Sequence, residues 1–125
     1  MSVTLEGMMA AAKAVVPKID PADARALLDG GQAIAVDVRD EAETKATGMV
    51  KGAINAPRCQ LEFRVDPASP RHDAALEKDK TLLVYCNSGA RAALAGKTLK
   101  DLGFTDVRLL GGFDAWVAAG GPVES

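Results

Sequence analysis

Thr81-Leu82-Leu83-Val84-Tyr85-Cys86-Asn87-Ser88-Gly89-Ala90-Arg91-Ala92 decides the fold. The apolar run Thr81 to Tyr85 predicts a buried strand, and Arg91 to Leu102 predicts a helix, with Leu94, Thr98 and Leu102 on one stripe and Ala95 and Leu99 beside it. Cys86 stands between them, so it leaves the end of a strand and faces the free backbone N–H groups that open a helix. Those donors favour an anion. A helix N-terminus with a nearby guanidinium lowers a thiol pKa from about 8.5 towards neutrality, and the thiolate is the nucleophilic form. Cys86 is therefore the candidate nucleophile; the competing reading is an inert, buried cysteine that ends a strand.

The residues after it suit the same purpose, and Asn87, Ser88, Gly89, Ala90, Arg91 and Ala92 form the candidate substrate loop. Gly89 admits a positive φ, which lets successive N–H groups curl into a nest around whatever Cys86 carries. Arg91 either pairs with a bound anion or turns back to a carboxylate that braces the loop.

Upstream, Ala33 to Val38 is a second near-continuous apolar run, the pattern of a strand covered on both faces. Asp37 and Arg39 fall at its carboxyl end, where open α/β sheets place their ligand sites. Asp40 caps a helix over Glu41 to Thr47, Gly48 ends it, and Lys51 to Pro57 is a turn into a very short strand. Residues Arg58 to Lys80 read as the longest irregular connection, anchored by Leu61 and Phe63. Arg58, Arg64 and Arg71 are available there to line a site, although solvated surface is the commoner fate of each. His72 belongs to a turn and receives no catalytic role.

Downstream of the loop, Gly103 caps the helix, Val107 to Leu110 is a final strand, and Gly111-Gly112 is a tight turn. A last helix, Phe113 to Ala119, follows, packing Phe113, Trp116 and Val117. At the other end, residues 1–16 form a helical lead-in, with Leu5, Met8, Met9, Ala12 and Val16 at helical spacing, and residues 17–123 form one domain. A short strand near Val16 to Ile19 leads to Asp20-Pro21, which starts a helix ending at Gly30-Gly31; its apolar face is Ala24, Leu27 and Leu28. Strands alternating with helices imply a parallel sheet between helical layers.

Composition bounds the function. Of 125 residues 48% are hydrophobic, enough for one core, and a formal charge of -2 without a Lys/Arg stripe excludes a general nucleic-acid binder. Two cysteines and one histidine cannot build the usual structural zinc site, so no metal is expected. Met8 to Val16 is interrupted by Lys13, lacks a basic segment before it and is too short to span a bilayer. The expectation is a cytoplasmic protein with reduced thiols and no membrane partner.

These residues together resemble the rhodanese family. The likeness runs from Ile19 to Pro122: Asp37-Val38-Arg39 after a strand, Gly48 with Gly52-Ala53 before Pro57, the Cys86 to Arg91 loop, and Leu102-Gly103-Phe104, Val107, Leu109, Gly111-Gly112, Phe113 and Ala115-Trp116. The resemblance implies a three-layer α/β/α fold, its five-stranded parallel sheet ordered 3-2-4-5-1, with the catalytic loop at the end of the central strand. It also implies a sulfurtransferase that carries sulfur as a Cys86 persulfide and uses no cofactor. Its partners would be small sulfur-containing anions and thiol or protein acceptors, with a relay module or a phosphatase as alternatives. Supporting roles fall to Asp37, Arg39 and Arg58. Cys59, brought towards the loop mouth, is either a resolving thiol or a bystander. Two positions depart from the family pattern: Met49 replaces the histidine common after the glycine, and Asn87 stands where thiosulfate-preferring members often carry a basic residue or glutamine. Phosphatases of this fold place five residues between cysteine and arginine; here there are four, a cradle better matched to a single sulfur atom.

Overall fold

The computed structural model describes residues 2–125. Its elements follow the alternation expected: α1 (Leu5–Val15), α2 (Pro21–Asp29), β1 (Ala33–Asp37), α3 (Glu41–Thr47), β2 (Met49–Val50), β3 (Ile54–Asn55), α4 (Leu61–Val65), β4 (Thr81–Cys86), α5 (Ala90–Asp101), β5 (Asp106–Gly112), α6 (Phe113–Ala118) and β6 (Val123–Glu124).

The main sheet is parallel, with strand order β3-β1-β4-β5. It has four strands where five were expected. The fifth place, beyond β5, is filled by a single bridge: Leu109 N–H donates to the Pro17 carbonyl at 2.8 Å and Ile19 N–H to the Leu109 carbonyl at 3.1 Å. Pro17 has no N–H to give a ladder, and Pro21 opens α2 at once, so the edge pairing cannot lengthen. With that bridge counted first, the spatial order is the 3-2-4-5-1 expected.

Alternation along the strands builds the two faces. Val36, Leu82, Val84, Cys86, Val107 and Leu109 point to the layer that contains α1, α4 and α5, where Ala12, Leu61 and Leu99 are buried. Ala33, Ala35, Leu83, Tyr85 and Leu110 point to the layer of α2 and α6, against Ala24, Phe113 and Trp116. The lead-in helix is thus docked on the core through Ala12 and Val16, while Leu5 and Met8 of its expected stripe stay exposed.

Three local readings change. Arg58–Gln60 is a 3-10 turn that runs into α4, so the connection after Pro57 is ordered at its start; Leu61 anchors it and Phe63 faces solvent. Gly111 and Gly112 do not form a tight turn but extend β5, because a register shift between Val84 and Tyr85 lets the strand run on beside β4 to pair Gly112 with Cys86. Val117 is largely exposed, and α6 docks through Phe113 and Trp116 alone. A two-stranded antiparallel pair, β2 with β6, also closes the C-terminal end of the chain and had no signal in the sequence pattern.

Candidate active site

Cys86 is the last residue of β4, and its side chain is fully buried. Its Sγ accepts the backbone N–H of Gly89 at 3.0 Å. That bond requires the chain to double back within three residues, and Gly89 does so at φ +105°, a left-handed geometry that favours glycine. Gly112 fits a second constraint. A Cβ there would collide with the Asn87 carbonyl oxygen, so the extended β5 can lie against the loop only with glycine at this position. Ala90, Arg91 and Ala92 form the first turn of α5, whose leading N–H groups have no partner within the helix. Asn87, Ser88 and Ala90 are exposed at the loop's crest.

Two carboxylate–guanidinium pairs frame this loop. Beneath it, the fully buried Asp37 and Arg39 meet at 2.7 Å, with Arg39 Nε also bonded to both carboxylate oxygens at 3.1 Å. Burial would lower the Arg39 pKa, but the hydrogen bond and charge of Asp37 more than offset it and hold the guanidinium charged. The remaining Arg39 donors reach Thr47 Oγ1 at 2.9 Å, the Gly48 carbonyl at 2.9 Å and Asn87 Oδ1 at 3.2 Å. Its planar face lies 4.5 Å from the Phe113 ring centre. Tyr85, buried beside this pair, keeps its hydroxyl proton at ordinary pH, because desolvation and the Asp37 charge push its pKa well up. Its hydroxyl accepts the Val50 N–H at 3.0 Å.

Above the loop, Arg91 turns back to Glu43, and Nη1 and Nη2 both donate to the carboxylate, at 2.8 and 3.0 Å. Of the two roles open to Arg91 in the sequence, this structure shows the carboxylate brace. Hydrogen bonds from Arg91 and from the Asp40 N–H pull the Glu43 pKa from 4.5 down to about 2. Asn87 Nδ2 donates to the same carboxylate at 3.0 Å, so Asn87 ties the Asp37–Arg39 pair to the Glu43–Arg91 pair across the loop.

Glu43 is the residue sequence reasoning missed. Its signal was present as Asp40-x-x-Glu43, a capping box that points the glutamate back along the chain at the N-terminus of α3. The guanidinium of Arg58 is not brought to the loop: it bonds Glu62 Oε1 at 3.0 Å and Thr98 Oγ1 at 3.2 Å, about two turns along α5 from Arg91. Cys59 is a free, exposed thiol on the 3-10 turn. Met49 begins β2 and pairs with Glu124 across the small sheet, a structural position. No group of three or more metal-binding side chains occurs among the described residues. No helix among them is long and apolar enough to cross a membrane.

A cysteine at the carboxyl end of the central strand, a short glycine-containing loop and an arginine opening the next helix define a cysteine-loop α/β domain. Residues 20–119 match the model of the rhodanese-like domain, and the chain belongs to that family. It is similar to human thiosulfate:glutathione sulfurtransferase, 32% identical over 108 residues that span 81% of this chain and 93% of that one. It is also similar to the tRNA uridine(34) hydroxylase of Bartonella henselae, 34% identical over 101 residues; the match spans 80% of this chain and only 32% of the hydroxylase. Among solved structures, a protein of unknown function from Rhodopseudomonas palustris, described as a possible tyrosine phosphatase, superposes with a TM-score of 0.88 at 37% identity, covering 99% of this chain and 96% of its own.

Proposed function

We propose that the protein is a sulfurtransferase that carries a sulfane sulfur as a persulfide on Cys86. The thiolate attacks the outer sulfur of a donor such as thiosulfate; a new S–S bond forms at Sγ, the bond from that sulfur to the sulfite group breaks, and sulfite leaves with the electron pair. The Gly89 N–H, already 3.0 Å from Sγ, and the leading N–H groups of α5 hold the developing anion. An acceptor thiol or cyanide then takes the outer sulfur and returns the thiolate.

The observation that carries this reading is the commitment of Arg91. Phosphate-ester hydrolysis in a cysteine loop needs the arginine to embrace the phosphoryl oxygens, whereas here both its terminal nitrogens are bound to Glu43 above a loop of four intervening residues. The test pairs two assays on the same preparation. Transfer of sulfur from thiosulfate to cyanide or a thiol, lost in Cys86→Ser, supports the proposal; hydrolysis of an aryl phosphate without sulfur transfer overturns it in favour of a phosphatase.

A further inference from the structure

Four hydrogen bonds converge on the Glu43 carboxylate from separate parts of the chain. Arg91 Nη1 reaches Oε2 at 2.8 Å and Nη2 reaches Oε1 at 3.0 Å, a bidentate grip from the first turn of α5. Asn87 Nδ2, from the loop, donates to Oε1 at 3.0 Å, and the Asp40 N–H donates to Oε2 at 2.9 Å. The amide of Asn87 is held in this orientation because its Oδ1 accepts Arg39 Nη1 at 3.2 Å. A planar guanidinium fork, a fixed amide and a backbone N–H aimed at one point are the donors that recognise a phosphate, sulfate or sulfonate group. Here they hold a carboxylate that belongs to the protein.

The fork lies within electrostatic reach of Cys86: the hydrogen bonds of Glu43 raise the Arg91 pKa most, and the charges of Glu43 and Cys86 add to the rise. Glu43 does not vacate the fork by protonation near neutral pH, since its carboxyl is held at about 2 by Arg91 and the Asp40 N–H. Arg39 offers no substitute, because each of its guanidinium nitrogens already donates to Asp37, Thr47, Asn87 or Gly48.

We propose that Glu43 is a specificity-determining residue: its carboxylate occupies the oxyanion position above the loop, so that the loop takes a sulfur atom without gripping a tetrahedral oxyanion. The inference rests on the sulfur-transfer reading above. A donor such as thiosulfate is then read through its outer sulfur and not through its oxygens, and the sulfite it leaves meets no free fork and departs. Replacing Glu43 opens the position. Glu43→Ala removes the occupant, and Glu43→Gln keeps its shape and one acceptor without the charge.

Two measurements test this, one of them independent of turnover. Inorganic phosphate is titrated into the full chain at constant ionic strength, with the amides of Ser88, Gly89, Ala90 and Arg91 followed by NMR. Glu43→Ala is expected to bind phosphate there at least about tenfold more tightly than wild type, Glu43→Gln by a smaller factor, and adding Arg91→Gln to either should remove the gain. Mere loosening of the contact between α3 and α5 would not create affinity for an anion. Phosphate affinity at the loop that is the same in wild type and both variants, or a gain that survives Arg91→Gln, overturns the proposal. In turnover, sulfate at matched ionic strength should compete with the donor in Glu43→Gln and leave wild type unaffected; equal inhibition of the two contradicts the assignment. Absence of any persulfide on wild-type Cys86 refutes the sulfur-transfer reading instead, and the phosphate titration still decides whether Glu43 fills an anion site.

Discussion

Glu43 and Arg91 join through two hydrogen bonds of 2.8 and 3.0 Å, and this pair fastens α3 to the first turn of the helix that follows Cys86. Both side chains are partly solvated, so the pair holds geometry more than it supplies stability. Glu43→Gln should cost roughly 1 kcal/mol or less in urea unfolding at neutral pH. Its larger effect should fall on kcat/KM for sulfur transfer. Arg91→Lys, which keeps the charge and loses the planar fork, should reproduce the activity loss.

The same pair sets a pH dependence. The carboxyl of Glu43 is held at about 2 against an ordinary 4.5, so its contribution to stability is fully present above the unfolded value. It is lost as pH falls from about 4.5 towards 2. Urea midpoints measured across that window should fall less steeply in Glu43→Gln than in wild type. Parallel curves would show that the carboxylate is not held in this way.

The Asp37–Arg39 pair is of a different kind, because neither side chain meets solvent. Removing one partner leaves a buried charge uncompensated, and Asp37→Ala should cost about 3–5 kcal/mol by chemical denaturation. It should also release Asn87 through Arg39, so that whatever folded protein remains has impaired transfer.

Gly112→Ala tests the contact between β5 and the loop. Its Cβ has no room beside the Asn87 carbonyl, and the loop must move for the variant to fold. A loss of about 1–3 kcal/mol in stability and a clear drop in transfer rate are expected, measured by thermal unfolding and steady-state assay.

Cys59 stands exposed on the 3-10 turn, while the Cys86 side chain is fully buried. Cys59→Ser is therefore expected to leave the lifetime of the Cys86 persulfide unchanged. A Cys59–Cys86 linked peptide after donor treatment, with a longer-lived persulfide in the variant, would instead make Cys59 the resolving thiol.

Much of this was legible because the deciding signals are local. The strand-to-helix switch at Cys86, the apolar run ending at Asp37 and the glycine demanded at position 89 each lie within a few consecutive residues. What escaped the sequence depends on partners far along the chain. Gly111-Gly112 has turn composition, and only the register shift against β4 makes it strand. Arg58 shows its use only when Thr98, forty residues on, packs beside it. The β2–β6 pair involves two residues on each side, too few for a periodic pattern. Glu43 was readable as a capping-box residue, but its second function needs Arg91 to arrive from another helix.

Whether Cys86 carries the transferred sulfur is decided by intact-protein mass spectrometry after brief exposure to a sulfane-sulfur donor. Wild type should gain one sulfur atom, mapped to the peptide containing Cys86, removed by cyanide or a thiol and absent from a folded Cys86→Ser variant. No adduct with thiosulfate, mercaptopyruvate or polysulfide, or an adduct that persists in Cys86→Ser, would contradict it.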